Sequence, residues 1–150
     1  MKFENFMTLE FPSRSSNEAF ARAAVACFAA QMDPTLDEMG DIKTAVSEAV
    51  SNCVIHGYME HENKTEAIIE MECTLNKKGK VTIRVTDHGS GIDNISQAME
   101  PLYTTGNSDE RSGMGFTVME SFMDKLIVES EKGVGTTVNM TKYLDTVIDR

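Results

Sequence analysis

Thr44-Ala-Val-Ser-Glu48-Ala-Val-Ser-Asn52-Cys-Val-Ile-His56-Gly57 decides how the rest of this sequence is read. Met39, Ile42, Val46, Val50 and Cys53 recur at helical spacing and make one apolar stripe. Glu48 and Asn52 lie four residues apart, so they stand one above the other on a shared face. At about 100° per residue, that face lies roughly opposite the stripe. A helix here buries one side against a core and presents a carboxylate and an amide together on the other. Such a pair is either a solvated polar face or part of a site, and the remainder of the chain decides between them.

Working outward, Thr35 and Glu38 form a capping box that opens this helix, and Gly57 is expected to close it as a C′ residue. Upstream, Ser15 and Glu18 repeat the box. They open a helix expected to turn Phe20, Ala23, Ala24, Cys27 and Phe28 inward and to end at Asp33-Pro34. Arg22 falls on the far side of that helix, as a solvated charge or a contact for a partner. Met7-Thr-Leu-Glu-Phe11 alternates and is closed by Pro12, which marks a short edge strand. Downstream, Tyr58 to Thr65 reads as a polar loop. Ala67 to Leu75 and Val81 to Thr86 alternate on either side of an Asn76-Lys-Lys-Gly79 turn, giving a hairpin with one buried face. Asp87 falls on that apolar face at the strand's end, where a carboxylate needs a hydrogen-bond donor.

A weak helix from about Asn94 to Met99 leads to Pro101, and Leu102 to Ser112 has no hydrophobic period and reads as a loop. Phe116, Met119 and Phe122/Met123 restore helical spacing. Leu126 to Ser130 and Thr136 to Tyr143 make a second hairpin around Gly133-Val-Gly135, and the tail after Leu144 is short. The order β-α-α-β-β-lid-α-β-β predicts a two-layer α/β (α+β) sandwich, with helices on one face of a mixed, mostly antiparallel sheet. At 150 residues, 1–150 is expected to be one domain.

Apolar residues at 41% and charged residues at 25% are ordinary for a soluble globular protein. The net charge of −10 argues against nucleic acid or an anionic membrane as partner, because either needs basic patches. It fits a basic protein surface, or a phosphate ligand whose charge is handled locally by Mg²⁺ and backbone N–H groups. No apolar run approaches the ~20 residues of a membrane span, and the N-terminus lacks the order of a signal peptide. Cys27, Cys53 and Cys73 are widely spaced in apolar patterns and have no ligand spacing with His56, His61 or His88. They are expected to be reduced core residues of a cytoplasmic protein rather than a disulfide or metal site.

The glycine-rich pieces carry the chemistry. Asp87-x-Gly89-x-Gly91 alone is common in tight turns. Gly113-x-Gly115 opening a helix says more, since glycines admit close approach and the helix's unpaired N–H groups favour phosphate. Neither piece has the strand-turn-helix context of a Rossmann unit or the lysine of a P-loop. The series is more specific: Glu48-x-x-x-Asn52, Asp87-x-Gly89-x-Gly91, a loop, Gly113-x-Gly115, then Gly135-Thr-Thr137. It resembles the GHKL ATPases of gyrase, heat-shock chaperone, histidine kinase and mismatch-repair type, and covers residues 44 to 138. Pro101-Leu-Tyr-Thr-Thr105, Glu110-Arg-Ser-Gly-Met-Gly-Phe116 and the early Asn17-Glu-Ala-Phe-Ala-Arg22 look like the anti-sigma serine kinases of spore-forming bacteria. One departure is that Gly106-Asn107 stand where that group often has lysine and proline, which removes a lysine contact to phosphate and predicts a looser lid.

That resemblance implies the GHKL (Bergerat) ATP-binding fold with a lid over about residues 95–112. It implies that Asn52 ligates Mg²⁺ at the ATP phosphates, that Glu48 is the general base, and that Arg111 meets the γ-phosphate. It places Asp87 on the adenine amino group, Gly89 and Gly91 against the base, and Thr137 near the adenine, although alternation puts Thr137 on the polar face of its strand. Thr105, Ser112, Gly113, Met114, Gly115 and Phe116 would line the nucleotide from the lid and helix. The implied reaction moves the γ-phosphoryl of ATP, leaving ADP, to a serine of a small anti-anti-sigma protein. The same chain would hold a sigma factor, with Arg22, Glu110 and Arg111 as partner contacts, and would form a homodimer through its first strand and helix. Two other readings remain: an ATPase with water as acceptor, and a nucleotide-dependent binding module without chemistry. The anti-sigma kinases of the general stress response are the near alternative within the resemblance.

Overall fold

The computed structural model describes residues 5–58, 63, 66–92, 94, 95, 99 and 115–145. Five strands form one sheet in the order β1-β2-β3-β5-β4, with every neighbouring pair antiparallel. They are β1 (Asn5–Pro12), β2 (Ile68–Leu75), β3 (Lys80–Asp87), β4 (Lys125–Glu131) and β5 (Gly135–Tyr143). The helices are α1 (Ser16–Ala29), α2 (Leu36–Asn52) and α3 (Gly115–Phe122). The fold is therefore the expected α+β arrangement, with β1 at an edge. Alternation explains the sheet: Ile69, Met71 and Cys73 of β2 and Val81, Ile83 and Val85 of β3 are buried, while Ile68, Glu70, Glu72, Thr82, Arg84 and Thr86 between them are not. The core joins these to Ile42, Val46 and Val50 of α2, Val138 and Met140 of β5, and Met119 of α3.

The α2 stripe is buried as its spacing requires, with Ile42, Val46 and Val50 at 0% exposure. Its start is the expected capping box: the Glu38 N–H donates to Thr35 Oγ1 at 3.1 Å, and the Thr35 N–H donates to Glu38 Oε1 at 2.8 Å. The second Glu38 oxygen accepts from the Asp145 N–H at 2.7 Å, so one carboxylate ties the helix to the chain after β5. Burial works to raise the Glu38 carboxyl, but the Thr35 and Asp145 hydrogen bonds and the charge of Lys142 outweigh it and hold it below its ordinary value.

Helix α1 departs from expectation in two ways. Ser15 has helical dihedrals and makes no side-chain cap; Asn17 Nδ2 donates to the Pro12 carbonyl at 2.9 Å instead. The buried face is Ala21, Val25 and Ala29, while Phe20, Ala23 and Cys27 are exposed and Phe28 is half-buried. Small residues on an i, i+4 ridge let α1 pack closely on α2, and that contact outweighs the hydrophobicity of Phe20. Cys27 is thus not a core residue, whereas Cys53 and Cys73 are. At its far end α1 tightens into a 3₁₀ turn over Ala30–Met32, and Asp33 ends it in the left-handed region, φ 54°.

Gly57 is not the left-handed C′ residue expected. Cys53–Gly57 form a π-helical turn, in which the Tyr58 N–H donates five residues back to the Cys53 carbonyl at 2.9 Å. That wider turn sends Tyr58 into the interior at 2% exposure, where a polar loop was expected. Of the weak helix after β3, Asn94, Ile95 and Met99 are described, and the Met99 N–H donates to the Ile95 carbonyl at 3.0 Å. The expected loop from Leu102 to Ser112, Gly106-Asn107 included, lies outside the described residues.

Candidate functional site

Glu48 and Asn52 occupy the last turns of α2 and both are half-buried. A β-carbon on Gly115, the first residue of α3, would stand 3.0 Å from Asn52 Oδ1 and 3.1 Å from Nδ2. The amide therefore lies against bare backbone at a helix N-terminus, where unpaired N–H groups and the helix dipole favour anionic oxygen. Phe116 follows on the same turn and packs against the core. Arg22 is not on a far, solvated side: its Nη1 donates to Ser47 Oγ at 3.0 Å, which brings the guanidinium to the residue beside Glu48.

Asp87 ends β3 on the core face, as the period-two count required, at 4% exposure. Burial pushes its carboxyl up from the ordinary value. Opposing that are hydrogen bonds from the Gly89 N–H (to Oδ1, 2.9 Å), the Cys53 thiol and the Thr136 backbone, together with His88. A buried carboxylate held by these few donors keeps acceptor capacity for an N–H of a ligand. The Cys53 thiol is pushed well up by its own burial and by Asp87, so it stays protonated.

Gly57 and Gly89 are required by close approach. A β-carbon on Gly57 would meet Asp87 Oδ2 at 2.7 Å, and one on Gly89 would meet the Gly57 carbonyl oxygen at 1.8 Å. Gly91, at φ +74°, lies against the Glu131 carbonyl and packs the loop onto the β4–β5 hairpin.

Thr137 does not share a face with Asp87. In the β3–β5 register Thr137 faces Thr86, and their hydroxyls are 3.3 Å apart on the sheet face away from the helices. Thr136 pairs with Asp87 instead, and its Oγ1 lies 2.8 Å from Ser130 Oγ. Thr136 is thus the threonine on the Asp87 face, and carrying the alternation of Val138 and Met140 back by two would have found it. Thr105, Glu110, Arg111, Ser112, Gly113 and Met114 lie outside the described residues.

The donor set suits a nucleotide with a hard cation. Asn52 offers one amide oxygen, and among the described residues no group of three His, Cys, Asp or Glu side chains stands ready to hold a metal alone. An ion there would complete its shell with phosphate oxygens and water, which is how Mg²⁺ is ordinarily held.

The family described as "Histidine kinase-like ATPase domain" matches residues 11–142. Among curated relatives, the anti-sigma F factor of Clostridium botulinum is 61% identical over 140 residues, 93% of this chain and 95% of that one. The anti-sigma F factor of Clostridium beijerinckii is 58% identical over 144 residues, 96% of this chain and 98% of its own. Two solved structures share the fold. The RsbU and RsbW domains of a Mycobacterium tuberculosis protein give a TM-score of 0.68 at 20% identity, over 93% of this chain and 32% of that one. The SiaB–SiaC complex of Pseudomonas aeruginosa gives 0.68 at 11% identity, over 90% and 88%. This chain belongs to the histidine kinase-like ATPase family, in the branch that holds the anti-sigma F factors.

Proposed function

We propose that the chain is an anti-sigma factor and serine protein kinase. It would hold a sporulation sigma factor of the sigma F type and phosphorylate a serine of its anti-anti-sigma antagonist with Mg·ATP. The supporting observation is that one stretch of backbone, from Glu48 to Tyr58, links the start of α3 to the buried carboxylate of Asp87. Asn52 meets the α3 N-terminus, and the turn after it meets the buried carboxylate of Asp87. The identities above 50% to anti-sigma F factors supply the partner class.

On this reading Asp87 accepts from the adenine amino group, and the Gly89–Gly91 loop admits the base. Thr136 rather than Thr137 backs the carboxylate. Asn52 holds the ion, and the N-terminal N–H groups of α3 hold phosphate oxygens. Mg²⁺, when bound, neutralises charge across the phosphates and orients them. Glu48, one turn before Asn52, takes the proton of the incoming serine hydroxyl as its oxygen bonds to the γ-phosphorus and ADP departs. Arg111 meets the charge that develops on the transferred group, Gly113 and Met114 hold phosphate oxygens with the start of α3, and Thr105 and Ser112 line the nucleotide from a lid at about 95–112. Arg22, Glu110 and Arg111 are the partner contacts, and Arg22 acts from its seat on Ser47. The chain is read as one domain over 1–150, working in the cytoplasm. A homodimer would form through β1 and α1, where Phe6 and Phe20 are 64% and 52% exposed.

Incubation with γ-labelled ATP, Mg²⁺ and anti-anti-sigma proteins tests the reading. Label on a serine of the antagonist is expected. Label only in free phosphate would make the protein an ATPase, and no movement of label would make it a binding module.

A further inference from the structure

The turn between Asn52 and Tyr58 makes more contacts with the Asp87 loop than a chain reversal needs. The Cys53 thiol is buried with the Asp87 carboxylate, whose charge helps to keep it protonated. The Gly57 α-carbon lies against the same carboxylate, and the Gly57 carbonyl accepts from the Ser90 N–H at 2.9 Å. Tyr58 Oη accepts from the His88 N–H at 2.6 Å and donates to the Ile68 carbonyl at 2.6 Å. One hydroxyl thus joins the residue after Asp87 to the start of β2, and Ile69 of that strand pairs with Asp87. Cys53 and Tyr58 are 3% and 2% exposed, so both side chains act on the loop away from water. The π-helical turn makes the arrangement possible, because its extra residue per turn rotates Tyr58 under the loop while Cys53 keeps its place on the core stripe.

We propose that Cys53 and Tyr58 are positioning residues for base recognition: they fix the Asp87 carboxylate and its loop in the orientation that selects a 6-amino purine. Neither side chain touches the base. Cys53 presses on the carboxylate from the helix, and Tyr58 holds the backbone that carries it. The Gly89 N–H occupies one carboxylate oxygen, so rotation of the group is already limited. The thiol and the phenol limit what remains. The same turn begins at the residue after Asn52, so the base acceptor and the amide at the phosphate end share one rigid support. The inference rests on the reading of Asp87 as the adenine acceptor.

The test compares dissociation constants for ATP and ITP, whose base carries oxygen in place of the 6-amino group, in the full-length chain. Cys53→Ala and Tyr58→Phe are each expected to weaken ATP about fivefold, the worth of one hydrogen bond, while ITP affinity stays constant and the ATP-to-ITP ratio contracts. Cys53→Ser keeps a donor of similar size and is expected to keep the ratio. Asp87→Asn separates the two claims: with one oxygen held by Gly89, the amide NH₂ would face the base's amino group, and ATP preference should vanish. If Asp87→Asn leaves the ratio unchanged, the acceptor reading itself is wrong. If Asp87→Asn abolishes the preference while Cys53→Ala and Tyr58→Phe retain it, the positioning role is overturned. Equal weakening of both nucleotides in those variants, or failure of the near-isosteric Tyr58→Phe and Cys53→Ser chains to fold, would make the two residues supports of the fold alone and would also overturn it.

Discussion

The α-carbon of Gly57 lies so close to the Asp87 carboxylate that a β-carbon there would stand 2.7 Å from Oδ2. The glycine's φ is not positive, so the constraint is space and not backbone conformation. The carboxylate cannot swing away without giving up the Gly89 N–H and the Cys53 thiol. Gly57→Ala is therefore expected to destabilise the fold by about 1–3 kcal/mol, as overpacking does, and to weaken ATP binding. Denaturant unfolding with nucleotide titration checks both; an unchanged affinity would show that the Asp87 orientation does not matter.

Glu38 should carry a pH-dependent share of stability. Its folded-state value lies below the ordinary 4.5, so the unfolded chain binds a proton first as pH falls. The contribution is present above about 4.5 and is lost as pH drops towards the folded value. Asp87 has the opposite sign: burial raises it from 3.8, so its effect on stability worsens as pH rises through its window. Subtracting wild type from Glu38→Gln isolates the first effect. The variant should be about 1 kcal/mol less stable at pH 7, the size of a lost cap, and the gap should shrink below pH 4. A gap that persists undiminished in acid would remove the carboxylate from the explanation.

The three thiols should separate by environment. Burial pushes Cys73 up to about 12 and Cys53 well up from its ordinary value, whereas Cys27 is exposed on α1. A thiol reagent at neutral pH should label Cys27 promptly and the other two only on unfolding. If β1 and α1 form the homodimer face, Cys27 labelling should slow as protein concentration rises. A rate independent of concentration would place the interface elsewhere.

Much of this was legible in the sequence because it rests on local periodicity. The α2 stripe, the Thr35–Glu38 box and the core-facing Asp87 follow from counting by 3.6 or by 2. What could not be read depends on partners distant in sequence. Hydrophobicity alone points to Phe20 as the inward residue of α1, yet close helix contact selects Ala21. Arg22 reaches Ser47 across that same close packing. Thr136 was within reach of the same counting, two residues back from Val138, but that it pairs with Asp87 depends on the register of β5 on β3. The need for glycine at position 57 comes from a carboxylate thirty residues later in the chain.

Glu48→Ala tests the central claim most directly, because Glu48 is assigned to the chemistry and Asn52 to holding the nucleotide. The measurement is single-turnover transfer of γ-label to the antagonist's serine, beside the dissociation constant for Mg·ATP. The account predicts an affinity within about twofold of wild type and transfer reduced by roughly 10²–10⁴, the usual worth of a positioned general base. Undiminished transfer, or loss of binding and transfer together, would contradict it.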